Sequence, residues 1–144
     1  MKALLTILFL SLLSSPSWSI NEYDLTYRDG IYYKKFSDIP FSGKVTSTGG
    51  KVTGKYKKGS IKNGKEEGVW RRYWANGRLH YKHNYKNGKK EGKSIEYWKN
   101  GQLMTKGSYK NDEQDGAWVF YNEDGALNKL NTGTFKNGVK IRKD

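Results

Sequence analysis

The chain has no cysteine, two prolines and two histidines, and beyond its opening segment it has no long apolar run. Each shortage removes a class of function or of stabilisation. Without cysteine there are no disulfides, no thiolate nucleophile and no sulfur-ligated metal. The two histidines, His80 and His83, stand three apart on what reads as a strand. They therefore point to opposite faces and cannot jointly hold one ion. No carboxylate pair or nucleophile elbow offers a catalytic group, so an enzyme is not expected. Acidic residues number 14 against 27 Lys and Arg, a formal net charge of +13. Branched aliphatics are also sparse, and that combination usually signals disorder.

What is present argues for order. Tyr 11, Trp 5 and Phe 5 are placed periodically among 17 glycines. The first residues, MKALLTILFLSLLSSPSWS, join Lys2 to an apolar run from Ala3 to Leu13, a breaking Pro16 and the small residues Ser17 and Ser19. The run is shorter than the roughly 20 residues a membrane span needs, and it reads as an export signal cleaved after Ser19. The expected location is the periplasm or the exterior.

The remainder repeats. IKNGKEEGVWRRYWANGRL (61–79) and YKNGKKEGKSIEYWKNGQL (85–103) agree at eleven of nineteen positions, and YKNDEQDGAWVFYNEDGAL (109–127) is a looser copy. Asn-Gly favours the type I′ hairpin turn, because both of its central residues need positive φ. Such turns fall at Asn63-Gly64, Asn76-Gly77, Asn87-Gly88, Asn100-Gly101, Asp124-Gly125 and Asn137-Gly138, with Asn111-Asp112 in the place of another. Spacings near 11 and 13 residues alternate, which leaves strands of ordinary length between them. Gly68, Gly92 and Gly116 recur every 24 residues, as do Tyr73, Tyr97 and Tyr121, and Leu79, Leu103 and Leu127. Trp74 and Trp98 follow the same period, as do the turn glycines Gly77, Gly101 and Gly125.

This pattern predicts an all-β fold, an elongated single-layer antiparallel meander of stacked hairpins. Residues one period apart stand two strands apart, so Tyr73, Tyr97 and Tyr121 should form a row with other rings interleaved. The expected organisation is a leader at 1–19, an atypical capping unit at 20–45 and repeats over 46–140. Repeat boundaries fall near 46–67, 68–91, 92–115 and 116–140, with a frayed tail at 141–144. Rings fall on both faces of the strands, so the pattern leaves open which face is the more buried.

The motif Tyr-Lys-Asn-Gly-Lys-x-x-Gly, followed by x-Trp-x-x-Tyr-x-x-Asn-Gly-x-Leu, resembles the bacterial variant of the MORN repeat over about residues 43–140. The segment from Gly30 to Val45 resembles the opening unit of exported members. The resemblance implies stacked β-hairpins serving as a protein-binding or scaffold module, since some MORN proteins are scaffolds or dimerisation modules; no cofactor is expected. Proteins of this variant are often catalogued as antitoxin components of toxin–antitoxin systems, and some MORN proteins associate with lipid. Here the export signal sits against a cytoplasmic role.

The basic excess is the feature most suggestive of function. Lysines concentrate at 51–65 and again, with arginines, at 71–93, and repetition should align them into stripes attractive to anions. Trp70, Arg72, Trp74, Trp98, Trp118, Lys82 and Lys86 are the candidate binding face. The expected partner is a protein, acidic in character, as in an immunity-like complex. The alternative is an anionic envelope surface, phospholipid or lipopolysaccharide, and export argues against nucleic acid. The Asn111–Gly116 acidic segment lacks the final Glu of a calcium loop and reads as a turn.

Overall fold

The computed structural model describes residues 19–48 and 56–143. The expected leader lies outside the described residues, apart from Ser19. The strands are β1 Ile20–Asn21, β2 Leu25–Arg28, β3 Ile31–Lys34, β4 Gly43–Thr48, β5 Tyr56–Lys62, β6 Lys65–Tyr73 and β7 Leu79–Lys86. They continue as β8 Lys89–Tyr97, β9 Leu103–Lys110, β10 Glu113–Gln114, β11 Gly116–Phe120, β12 Gly133–Lys136 and β13 Val139–Lys143. From β4 onward, sequential neighbours pair antiparallel in one sheet, with β10 and β11 both on β9. β1 joins β4 in parallel, and β2–β3 form a separate hairpin. The expected all-β meander is the observed fold.

The turns are of two kinds, which explains the alternating spacing. At one edge of the sheet both turn residues are left-handed: Asn63 and Gly64 (φ 49° and 74°), Asn87 and Gly88 (51° and 78°), Asn137 and Gly138 (49° and 76°). Asn111 and Asp112 do the same at 50° and 70°, so Asp takes the place of Gly there. These are two-residue type I′ turns. Among the described turn residues at the opposite edge, only Gly77, Gly101 and Gly125 have positive φ. There the loop is longer, closed by Trp74 N–H to Arg78 O at 2.8 Å and by Gly77 N–H to Trp74 O at 2.9 Å. The expectation of type I′ turns throughout therefore holds for one edge only.

Successive turns are stitched together. Gly64 N–H donates to Phe41 O, Gly88 to Glu66 O, Asp112 to Lys90 O and Gly138 to Gln114 O, at 2.7–3.0 Å. Side chains repeat the device: Glu67 accepts from Asn87 N–H and Glu91 from Asn111 N–H, at 3.0 and 2.9 Å. At the other edge Trp74 Nε1 donates to Tyr97 O and Trp98 Nε1 to Tyr121 O, both at 3.1 Å. Asn76 Nδ2 reaches Lys99 O and Asn100 Nδ2 reaches Glu123 O. Each hairpin tip thus satisfies the next, which is how a sheet with little enclosed core holds together.

The core lies on one face, here called the aromatic face. Register places Val45, Gly59, Trp70, His83, Ser94, Gly107, Trp118 and Gly133 in one row across the strands, with Gly59 taken up by the bulge between Lys58 and Ser60. Trp70 and Trp118 are 2% and 1% exposed. Each indole lies over the facing glycine, and a Cβ added at Gly59 or Gly107 would overlap indole carbons. Their Nε1 atoms donate to Ser60 O and Ser108 O at 3.1 and 3.0 Å. The β2–β3 hairpin closes one end of this face, with Leu25 packing in a cluster with Val45, Ile61 and Trp70.

Two expectations need correction. Among the described residues no ring contact joins Tyr73, Tyr97 and Tyr121 to one another; a chain of contacts runs instead through Trp70–Tyr85, His83–Tyr85, His83–Tyr109, Tyr109–Trp118, Trp118–Phe120 and Phe120–Phe135. Strand alternation puts Tyr73 and Tyr97 on the opposite face, each cross-strand from its leucine, Leu79 or Leu103. Residues 141–143, expected to fray, complete β13 through Thr134–Arg142 and Gly133–Lys143 pairing.

Candidate functional site

The second face is basic. One row across it reads Thr46, Lys58, Arg71, Lys82, Ile95, Lys106 and Val119. Two depressions lie along it. One of about 660 Å³ is lined by Val69, Ile95, Ala117 and Val119 together with Lys82, Lys93 and Lys106. The other, about 400 Å³, shares Val69 and is lined by Lys44, Lys58 and Arg71. Among the described residues the lining includes no carboxylate. Among the described residues, Lys44, Arg71, Lys82, Lys93 and Lys106 make no ion pair.

That arrangement is costly by itself. Lys58, Arg71 and Lys82 are directly opposed on adjacent strands, and like charges so placed destabilise a sheet. An anion laid along the row would relieve the repulsion. The floor of Val69, Ile95, Ala117 and Val119 would meet the apolar part of the same ligand. The groove thus suits an elongated anionic molecule with apolar character.

The aromatic face also carries cations, with Lys57 Nζ over Trp70 and Lys90 Nζ over Tyr109, each 4.7 Å from the ring centre, but it differs in polar order. Its depression of about 420 Å³ is lined by Glu96, Trp98, Tyr109, Trp118 and Phe120, among others, with no lysine or arginine. His83 is 4% exposed. It stacks on Tyr81 with centroids 4.2 Å apart and 5° between planes, and its Nε2 lies 3.0 Å from Glu96 Oε1. That hydrogen bond lowers the Glu96 pKa from the ordinary carboxylate value, against the opposite pull of burial. Burial raises the Tyr81, Tyr85 and Tyr109 hydroxyls around it. His83 Nδ1 and Ser94 Oγ are buried with no hydrogen-bond partner among the described residues. His80 instead stacks on Trp74 at 3.7 Å. Among the described residues no cluster of His, Asp and Glu is arranged to hold a metal.

The candidate binding residues are divided by the fold. Trp70 and Trp118 are sealed in the core, and Arg72 shares their face opposite Tyr81. Trp74 and Trp98 tie hairpin tips together. Lys86 opposes Lys89 beside a type I′ turn. Only Lys82 lies in the groove. Its other cations were within reach of the sequence, since Lys58, Lys82 and Lys106 are 24 residues apart.

Compared with known families, residues 66–87 and 90–111 match the MORN repeat variant. The matches cover most of the β6–β7 and β8–β9 hairpins, so the two central hairpins of the sheet are similar to that repeat. A search of curated proteins finds no match.

Proposed function

We propose that this chain is a non-enzymatic exported binding module that docks another protein, acidic at its point of contact, against the basic face. The observation that carries this reading is the groove: six cations, Lys44, Lys58, Arg71, Lys82, Lys93 and Lys106, around an apolar floor with no carboxylate among the described lining residues. MORN-type repeats are typically binding repeats without catalytic activity, which agrees with the reading. A neutralising partner of a toxin, immunity- or antitoxin-like, is its most concrete version. The test is affinity capture from envelope extract with the native protein and with a Lys82→Glu/Lys106→Glu variant. A discrete partner retained by the native protein and lost by the variant supports the reading. Equal retention by both overturns it.

A second reading, contact with an anionic lipid or lipopolysaccharide surface, is favoured by a feature away from the groove. Phe36 and Ile39 are 106% and 78% exposed beside exposed Lys34 and Lys35. An apolar tip flanked by lysines suits a headgroup boundary. Sedimentation with anionic vesicles that salt abolishes, and that a Phe36→Ser variant loses, supports it; indifference to both changes overturns it.

A further inference from the structure

We infer that the basic groove takes a single extended segment in the polyproline II conformation, carrying an acidic residue at every third position. This rests on the acidic-partner reading above and specifies the shape and spacing of the ligand.

Lys58, Lys82 and Lys106 occupy equivalent places on alternate strands. Neighbouring strands are about 4.8 Å apart, so these lysines recur about every 9.6 Å across the sheet. A polyproline II chain rises about 3.1 Å per residue with three residues per turn, so positions i, i+3 and i+6 share one side about every 9.3 Å. Over the whole ladder the mismatch is well under 1 Å. A β-strand shows one side about every 6.7 Å and drifts out of step at the first repeat. An α-helix returns to one side after seven residues, about 10.5 Å, and loses about 2 Å over the ladder.

The surroundings suit the same ligand. Ile95 stands between Lys82 and Lys106 in the row, where the two residues between acids would rest, and Arg71 stands between Lys58 and Lys82, where its guanidinium would meet the backbone carbonyls of the segment. On the same face, two residues further along their strands, Tyr73 and Tyr97 run parallel to the cations, and Lys58 Nζ lies 5.6 Å from the centre of the Tyr73 ring. Rows of aromatics are what polyproline II ligands dock against, and their preformed backbone loses little entropy on binding. Seven residues are enough to span from Lys58 to Lys106.

The experiment uses the full chain and two labelled peptides of identical composition, followed by fluorescence anisotropy. One repeats Glu-Pro-Pro; the other gathers all its glutamates into one block followed by the prolines. The repeating peptide is expected to bind about tenfold more tightly, the combined effect of three exposed charge pairs in register. Lys82→Gln should remove most of that advantage. Lys89→Gln, the same charge change beside a turn at the sheet edge, should leave it intact. Equal binding of both peptides overturns the spacing inference while the acidic-partner reading stands. Binding of neither overturns both. Competition for the groove by vesicles of phosphatidylglycerol and phosphatidylcholine, equal to that of the repeating peptide, would assign the face to lipid and overturn the inference.

Discussion

The indole of Trp118 rests on Gly107, its directly facing neighbour, in the space a side chain would otherwise fill. Trp70 and Gly59 repeat the arrangement two units earlier. Glycine is needed here for room, since neither Gly59 nor Gly107 has the positive φ that marks the turn glycines. Gly107→Ala and Gly59→Ala should each cost about 3 kcal/mol, the upper range for forced overpacking. Gly68 has open space but a φ of 71°, so Gly68→Ala should cost only about 1 kcal/mol, through backbone strain. Urea unfolding of the three variants measures the contrast.

Between these two tryptophans the pattern inverts. Ser94 occupies the tryptophan's place and His83 the glycine's, so the large residue has crossed to the other strand. Ser94→Trp alone should clash with the imidazole, and His83→Gly alone should leave a cavity. The double variant should restore the Trp-on-Gly packing, with Asn84 O placed as Ser60 O and Ser108 O are. A double-mutant cycle is expected to show about 2 kcal/mol of favourable coupling. Additive losses would show that the two positions do not share one space.

Phe36 has a φ of 63° and a fully exposed side chain, in a loop held by Arg28 Nη2 bonds to Ser37 O and Asp38 Oδ1 at 3.1 and 2.9 Å. The ring contributes no packing to set against the strain. Phe36→Gly should therefore raise stability by about 1 kcal/mol, measured as a rise in melting temperature. The same variant should bind anionic vesicles less well if the loop meets lipid.

Glu96 gives the fold an acid-sensitive contact. Its pKa is lowered in the native state by the His83 hydrogen bond, so the native carboxyl holds its proton less readily than the unfolded one. Its contribution is complete above the unfolded carboxylate value, about 4.3, and is lost as pH falls through the lower native value. Glu96→Gln should be less stable than the native protein at neutral pH, and the difference should shrink on acidification below pH of about 4. Urea midpoints for the two proteins across that range check the sign.

Much of the fold was legible because its signals are local. Asn63-Gly64 and Asn87-Gly88 specify a turn from two residues alone, and the 24-residue recurrence of Tyr73, Tyr97 and Tyr121 fixes equivalent strands. The difference between the two edges was also present, in the alternation of short and long spacings. The partition of residues between faces was harder to read. Trp70 and Arg71 are adjacent yet serve opposite faces, and the composition of β6 offers rings and cations to both. Burial of the aromatic face is settled partly by the β2–β3 hairpin, whose Leu25 reaches Val45 and Trp70 from far along the chain. The burial of His83 is hidden for a similar reason. Its burial depends on Ser94 across the strand pair, and a serine in a tryptophan's register is visible only once the strands are aligned.

The stitched turns have a consequence for length. Each added 24-residue hairpin would bring one more turn to tie to its neighbour and one more lysine in step with Lys58, Lys82 and Lys106. The sheet would then work as a ruler graduated in triplets of its ligand, and repeat number would set how long a stretch it reads.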